Sequence, residues 1–376
     1  MRLRELRLRF FRNLRHIDLE LPAGPILIWG DNAQGKTNLL EAIYCLATGR
    51  SFRTRNDREC LAWDAPAEEP ASIRGRVERR DGPREIKVVL HQGEKRLFLD
   101  GKPLARLAEL LGELNAVLFT PADLQIVQGS PAARRRFLDL GLSQVSRPYL
   151  ASLQTFSQAL RQRNALLRAR QPLPALEGEL APYEALMAAA AAEILQFRAK
   201  ALEDLARRAA QAYAEFGAGE RLGLAYRHFL RDDVAAADTE ASMADRYRRR
   251  LEADRAEDSR QGATRTGPHR DDFILTLDGK SAQDYASQGQ QRCCALALRL
   301  AEAGLMAERA GEEPILLLDD LASELDAGRR RRLLETLRSE AQVFLTTTRP
   351  GDFPREMGFA AAWTVQAGAV EKTSLG

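Results

Sequence analysis

Residues 26–48 constrain this chain more than any other stretch. Ile26-Leu27-Ile28-Trp29 is a short apolar run of the kind that forms a buried strand. The segment Gly30-Asp31-Asn32-Ala33-Gln34-Gly35-Lys36-Thr37 follows it directly, and Leu39, Leu40, Ile43 and Leu46 then recur at helical spacing. Strand, glycine-bounded loop and helix in that order satisfy the pattern GxxxxGK[ST] together with the context it requires. Glycine lets the loop turn its amide N–H groups inward, and a helix N-terminus adds positive partial charge. The expectation is a phosphate-binding loop in which Gly30 to Asn38 surround a nucleotide. Lys36 reaches its β- and γ-phosphates, and Thr37 offers a hydroxyl to Mg²⁺. The alternative is a Gly-containing strand–helix turn with no ligand.

A second motif stands near the other end of the chain. Ile315-Leu316-Leu317-Leu318 reads as a core strand ending in Asp319-Asp320. Asp319 is expected to hold the metal, and Asp320 to act as the general base that polarises an attacking water. Lys36, Asp319 and Asp320 are therefore the candidate catalytic residues. Upstream of that strand, Ser287-Gln288-Gly289-Gln290-Gln291-Arg292 precedes a helix and looks like the signature segment of ABC-type ATPases. In those proteins a Ser, a Gly and a helix N-terminus meet the γ-phosphate bound by the other subunit, which makes Ser287, Gly289 and Gln290 candidate nucleotide contacts. A plain helix cap is the alternative for Ser287. Ser323-Glu324-Leu325-Asp326 resembles the loop that crosses the same interface.

The rest of the pattern places these motifs in one architecture. Leu6, Leu8 and Phe10, then Ile17, Leu19 and Leu21, alternate with polar residues and predict an antiparallel pair. Residues 71–100 read as a β-meander with turns at Asp81-Gly82, Gly93 and Asp100-Gly101. Ala116 to Phe119 is a further strand, and Thr120-Pro121 with Asp123 opens a helix. From about 130 to 265 the periodicity is mostly helical, without the sustained heptads of a long coiled coil. Strands return at Phe273-Ile274-Leu275, Ile315 to Leu318 and Val343-Phe344-Leu345. The fold class is α/β: an ABC/SMC-like P-loop ATPase head assembled from both chain ends, 1–128 and 266–376, with an inserted, mostly helical lobe at 129–265.

Composition adds less. With 45% apolar residues the chain can build a real core, and it contains no apolar stretch of the roughly eighteen residues a membrane span needs. The N-terminus has no apolar signal core, so a cytoplasmic protein with no membrane partner is expected. Cys45, Cys60, Cys293 and Cys294 lack CxxC spacing and read as reduced structural thiols. The formal charge of +3 is too small to indicate a partner, but arginine clusters. Besides Arg2 to Arg15, the groups Arg50, Arg53, Arg55 and Arg134, Arg135, Arg136 are candidate phosphate contacts on DNA, because guanidinium forks two donors onto phosphate. The alternative is solvated faces, or pairing with acids such as Asp57 and Glu59.

With these residues placed, the chain resembles the RecF family of bacterial recombination-repair proteins over nearly its whole length. The resemblance is carried by Phe11-Arg12-Asn13-Leu14, by Asn32 to Ala42, by Gly49 to Thr54 and by Phe119 to Leu124. It continues through Gly129-Ser130-Pro131 with Arg134 to Asp139, Gln162-Arg163-Asn164 and Gly267 to Asp272, and ends with the signature segment and Asp319-Asp320. It implies an ATP- and Mg²⁺-dependent homodimer on double-stranded DNA near single-strand gaps, cooperating with RecR and RecO to load RecA. The switch histidine usual in ABC proteins should follow Val343-Phe344-Leu345, where Thr346-Thr347-Thr348 stands instead. Gln125 is the candidate for the glutamine loop, and His269 is a candidate structural residue. The short insertion without heptads disfavours a nuclease-associated coiled-coil ATPase. The N-terminal β-pair, the lobe and the arginines disfavour a transporter ATPase.

Overall fold

The structure, a computed structural model, describes residues 1–66, 68–169, 173–216, 219–230, 239–321, 327–336, 341–353 and 358–373. In chain order the strands and helices of the first part are β1 (Arg2–Phe11), β2 (Leu14–Glu20), β3 (Pro25–Trp29), α1 (Lys36–Thr48), β4 (Ala71–Glu78), β5 (Arg84–His91), β6 (Glu94–Leu99), β7 (Lys102–Pro103) and β8 (Ala116–Phe119). Next come α2 (Leu124–Gln128), α3 (Pro131–Val145), α4 (Arg147–Arg168), α5 (Leu173–Phe216), β9 (Leu222–Arg227) and α6 (Glu240–Gln261). They are followed by β10 (Asp272–Leu277), β11 (Lys280–Ser281), α7 (Ala282–Tyr285) and α8 (Gln288–Ala310). The chain closes with β12 (Ile315–Leu318), α9 (Ala327–Thr336), β13 (Val343–Thr347), β14 (Ala361–Gln366) and β15 (Ala369–Thr373).

Two compact units result: residues 1–124, 212–218 and 295–376 form one, and residues 125–211 and 219–294 the other. The second unit is wider than the lobe expected at 129–265. It also takes in β10, β11, α7 and the Ser287 segment.

In the first unit both chain ends contribute to one sheet of order β15-β14-β3-β13-β12-β8, parallel throughout except for the terminal β14–β15 hairpin. A parallel strand covered on both faces must be apolar throughout. β12 meets that requirement, with Ile315, Leu317 and Leu318 at 0% exposure and Leu316 at 4%. Each such side chain contributes about 1.5–3 kcal/mol of gross burial. The other sheet is antiparallel, in the order β2-β1-β4-β5-β6-β7. Its hairpins turn through Gln92-Gly93 and Asp100-Gly101, all at positive φ, the conformation a two-residue hairpin loop needs. Helix α1 packs on β1, β4 and β5 of this sheet and on β8 and β13 of the parallel one. Its residues from Leu39 to Thr48 are accordingly buried almost all round.

One expectation in β1 is corrected. Phe10 does not continue the inward alternation: its φ is +49°, and Phe11, 1% exposed, takes the core position. A register shift between Leu3 and Glu5 sets the earlier part of the pattern, with Leu3, Leu6 and Leu8 fully buried.

In the second unit α3, α4, α5 and α6 contribute to two buried arginine networks. Arg163, 0% exposed, donates to Glu184, Asp258 and Thr264. Arg198, 2% exposed, donates to Asp139, Asp271 and the Pro268 carbonyl. A buried charge is tolerable only when paired and hydrogen-bonded on this scale. A small antiparallel sheet, β11-β10-β9, completes the unit.

Candidate nucleotide site

The phosphate loop runs from the end of β3 into α1. Gly30 has φ +152°, and a Cβ there would lie 2.3 Å from the Val365 carbonyl oxygen, so only glycine lets β14 approach. Lys36 is 8% exposed and its ammonium donates to the carbonyls of Gly30 and Asp31 at 2.6 and 2.8 Å, which holds it over the loop. Burial lowers its pKa, while the charges of Asp320, Asp319 and Asp31 push back. Thr37 donates to Asp319, with oxygen separations of 2.9 and 3.0 Å to the two carboxylate atoms. Residues 282 positions apart in sequence are thus joined at the mouth of the loop.

Thr346, at the end of β13, completes this arrangement. Its hydroxyl donates to Asp319 Oδ1 at 2.8 Å and accepts the Asp320 amide N–H at 2.8 Å. Burial pushes the Asp319 carboxyl up; the hydrogen bonds from Thr346 and Thr37 oppose that, and the neighbouring Asp320 charge adds to it. Asp320 has φ +50°, an uncommon conformation for a non-glycine residue, and the Thr346 bond to its amide holds it there. A threonine hydroxyl and a carboxylate held together are hard oxygen donors suited to Mg²⁺ alongside phosphate oxygens. No group of three or more His, Cys, Asp or Glu able to hold a metal occurs among the described residues.

The loop is braced from three sides. Asn13, in the β1–β2 turn, donates to the Gln34 carbonyl at 2.8 Å and accepts from Asn38 at 2.7 Å. The β14–β15 turn donates the Ala367 and Gly368 amides to Gln34 at 2.6 and 3.0 Å. Below the loop, Glu41 of α1 is 0% exposed and accepts from Arg12 at 2.6 and 3.0 Å and from Ser51. Burial works against the Arg12 guanidinium, but the Glu41 hydrogen bond and charge outweigh it and raise the Arg12 pKa. Arg53 reaches the same helix, donating to Asn38 Oδ1 at 2.6 Å. Around these groups lies a cleft of about 850 Å³ that includes Lys36, Thr37, Asp319, Asp320 and, further along, Leu61 and Trp63.

The family model described as RecF/RecN/SMC N terminal domain matches residues 2–368. The protein named DNA replication and repair protein RecF of Chloroflexus aurantiacus (strain ATCC 29364 / DSM 637 / Y-400-fl) is 42% identical, covering 94% of this chain and 95% of the relative. The chain belongs to the RecF family. The protein of the same name from Lactobacillus delbrueckii subsp. bulgaricus is also 42% identical, over 90% of this chain and 88% of its own length. A solved structure of the recombination mediator protein RecF with ATPrS superposes with a TM-score of 0.89 at 32% identity, covering 99% of this chain and 98% of that one. An Smc head structure at 15% identity, with a TM-score of 0.58, shares the fold. The chain is accordingly an ATPase with an ABC/SMC-type α/β head.

Ser287 and Gln290 form a reciprocal cap on α8: the Ser287 amide donates to Gln290 Oε1 at 2.7 Å, and the Gln290 amide lies 3.3 Å from Ser287 Oγ. Ser287 is exposed at that helix start. The helix-cap alternative for Ser287 is thus realised in the structure, and the Gln290 side-chain amide also donates to Glu220 at 2.6 Å. The loop at 323–326 lies outside the described residues. Gln125 is exposed on the short helix α2. Thr347 donates to Asp352, so the position expected for a switch histidine belongs to β13 and its turn.

The arginine clusters separate. Arg50, Arg53, Arg55 and Arg136 are exposed. Arg134 is corrected as a DNA candidate: it is 5% exposed, paired to Asp272 at 2.7 and 2.9 Å and bonded to the Gly129 carbonyl. Arg135 donates to the Asp271 carbonyl at 2.6 Å, and burial lowers its pKa. Within the second unit two family segments are direct partners: Arg134 pairs with Asp272, and Arg135 donates to the Asp271 carbonyl. Asn164 accepts from Thr264, whose carbonyl lies 3.0 Å from His269, and His269 packs against Phe156. No helix among the described residues is long and apolar enough to cross a membrane.

Proposed function

We propose that this chain is a DNA-responsive ATPase of recombinational repair, working as an ATP-dependent homodimer on duplex DNA at gaps. In that role it helps RecR and RecO load RecA. The observation that carries the reading is the joining of Lys36, Thr37, Asp319 and Asp320 in one cleft within a RecF-family chain. Lys36 binds the β- and γ-phosphates; Thr37 and Asp319 would hold Mg²⁺, whose charge would offset that developing on the phosphoryl oxygens. Asp320 accepts the proton of the attacking water in line with the leaving oxygen. Ser287, Gly289 and Gln290 of a second copy present the α8 N-terminus to the γ-phosphate. Hydrolysis removes that phosphate and with it the link between subunits.

Phosphate contacts from Arg50, Arg53, Arg55 and Arg136 carry no direct sequence information, so binding is general to duplex DNA. Doubling them in the dimer makes DNA affinity ATP-dependent. Filter retention of a gapped duplex across a salt series tests the reading. The parent should retain DNA only with ATP, and Arg50→Ala/Arg55→Ala should flatten log K against log salt by up to about 4 units. Retention that ignores ATP contradicts the switch, and an unchanged slope removes this cluster as the DNA surface.

A further inference from the structure

The segment that carries Ser287, Gly289 and Gln290 has little buried apolar surface of its own. Gln283, Asp284, Tyr285, Ser287 and Gln288 are exposed, and Ala286, Gly289 and Gln290 are only part-buried. Hydrophobic stabilisation scales with the apolar area removed from water, so packing alone leaves the approach to α8 weakly determined. Polar contacts fix it instead. They converge on Gln291, which is 5% exposed.

Gln291 uses its whole carboxamide. Nε2 donates to the carbonyls of Ala282 and Gln283 in α7, at 3.1 and 3.2 Å. Two carbonyl acceptors require the NH₂ on that side, so Oε1 faces the other way. There it accepts from the Gln128 side-chain amide, at the end of α2. Gln283 completes the circuit, its side chain donating to the Gln128 carbonyl at 3.1 Å. Three glutamines from α2, α7 and α8 thus form a closed ring of hydrogen bonds. Between Gln283 and Gln291 the chain makes one loop, residues 284–290, with Ser287 at its middle. The ring closes that loop at its base, and the Ser287–Gln290 cap shapes its tip. A buried carboxamide left without a partner forfeits its desolvation as well as the bond, which holds the loop to this one arrangement.

We propose that Gln291 and Gln128 are positioning residues of the hydrolysis reaction. Their ring sets the direction of Ser287 and of the first amides of α8, and so how these meet the γ-phosphate held by a second copy. The proposal rests on the two-chain reading of the Ser287 segment and adds what holds that segment in place. Neither glutamine touches nucleotide in this role.

Gln128 is exposed, so substituting it spares the core. On the full chain, Gln128→Met should lower kcat about three- to tenfold, the worth of one hydrogen bond, while the dilute monomer binds a non-hydrolysable ATP analogue as the parent does. Gln128→Lys, which returns a donor to Gln291 Oε1, should recover most of the loss. Gln291→Leu should lose at least as much as Gln128→Met, and the double variant no more than Gln291→Leu, because both act through one ring. If Gln291→Leu does not fold, the two Gln128 variants decide alone. Parent-like kcat in Gln128→Met, or equal losses in Gln128→Met and Gln128→Lys, overturns the proposal. Ser287→Arg reports on the reading beneath it: if that variant turns over ATP like the parent, the two-chain site fails and the role of the ring fails with it.

Discussion

Thr346 donates its hydroxyl hydrogen to Asp319 across 2.8 Å. The same oxygen receives the Asp320 amide, so one side chain on β13 holds the Asp319 carboxylate and the Asp320 backbone at the end of β12. Thr346→Val keeps the shape and removes both bonds. Turnover should fall at least about tenfold with ATP affinity within a few-fold of the parent, because the loss is in orientation rather than phosphate binding. Loss of the bond to the Asp320 amide should also lower stability by about 1 kcal/mol. Steady-state turnover with calorimetric ATP titration checks this, and Thr346→Ser should recover activity. Parent-like turnover in Thr346→Val would show that Asp319 and Asp320 are positioned by other groups.

Lys36→Met and Asp320→Asn should fail in different ways. The first loses a phosphate contact and should weaken nucleotide retention. The second keeps the fold of the site and loses the base, so ATP-bound protein should accumulate while turnover drops. Rapid gel filtration with labelled ATP distinguishes them. Equal turnover in Asp320→Asn and the parent would mean that another group orients the water.

The Arg12–Glu41 pair should be mainly structural. Glu41 is completely buried, and Arg12 is its bidentate partner. Arg12→Met leaves that carboxylate under-compensated and should cost about 3 kcal/mol. Arg12→Met/Glu41→Leu, which removes both charges, should lose less. A denaturant double-mutant cycle measures the coupling, and strictly additive losses would refute it.

His269 should make stability pH-dependent. Burial lowers its pKa from 6.5 to about 4, and its Nδ1 is buried without a hydrogen-bond partner. Between those values the unfolded chain binds a proton that the folded chain refuses, so stability falls as pH drops from about 6.5 to about 4. His269→Gln should remove up to roughly 3 kcal/mol of that dependence. Denaturant midpoints at pH 7 and pH 5 give the comparison; identical pH slopes for the variant and the parent would contradict it.

What the sequence disclosed follows from how local each feature is. The phosphate loop is contiguous, and its strand and helix flank it directly, so pattern alone locates it. Thr346 is placed by sequence at the expected switch position, but its bond to Asp319 is not legible there, because the two meet only through the parallel register of Leu318 opposite Leu345. The β14–β15 hairpin escaped because Ala361 and Ala362 give little hydrophobic contrast, although the Ala367-Gly368 turn that braces Gln34 was a signal to follow. Arg134, Arg135 and Arg136 read alike in sequence, but a helix turns each by about 100°, which sends Arg134 into Asp272 and Arg136 to solvent. Arg163 and Arg198 look like solvated helix residues until partners such as Asp258 and Asp271, far along the chain, are brought to them.

The central claim is that ATP, held by Lys36 of one copy and the Ser287 segment of another, joins two chains. Sedimentation velocity of the parent and of Ser287→Arg, each with and without ATP, tests it most directly. The parent should be monomeric without nucleotide and dimeric with it, since a ligand bound at an interface stabilises the assembly by mass action. Ser287→Arg should bind ATP like the parent and stay monomeric. A Ser287→Arg protein that still dimerises with ATP, or a parent whose association ignores ATP, would contradict the two-chain site.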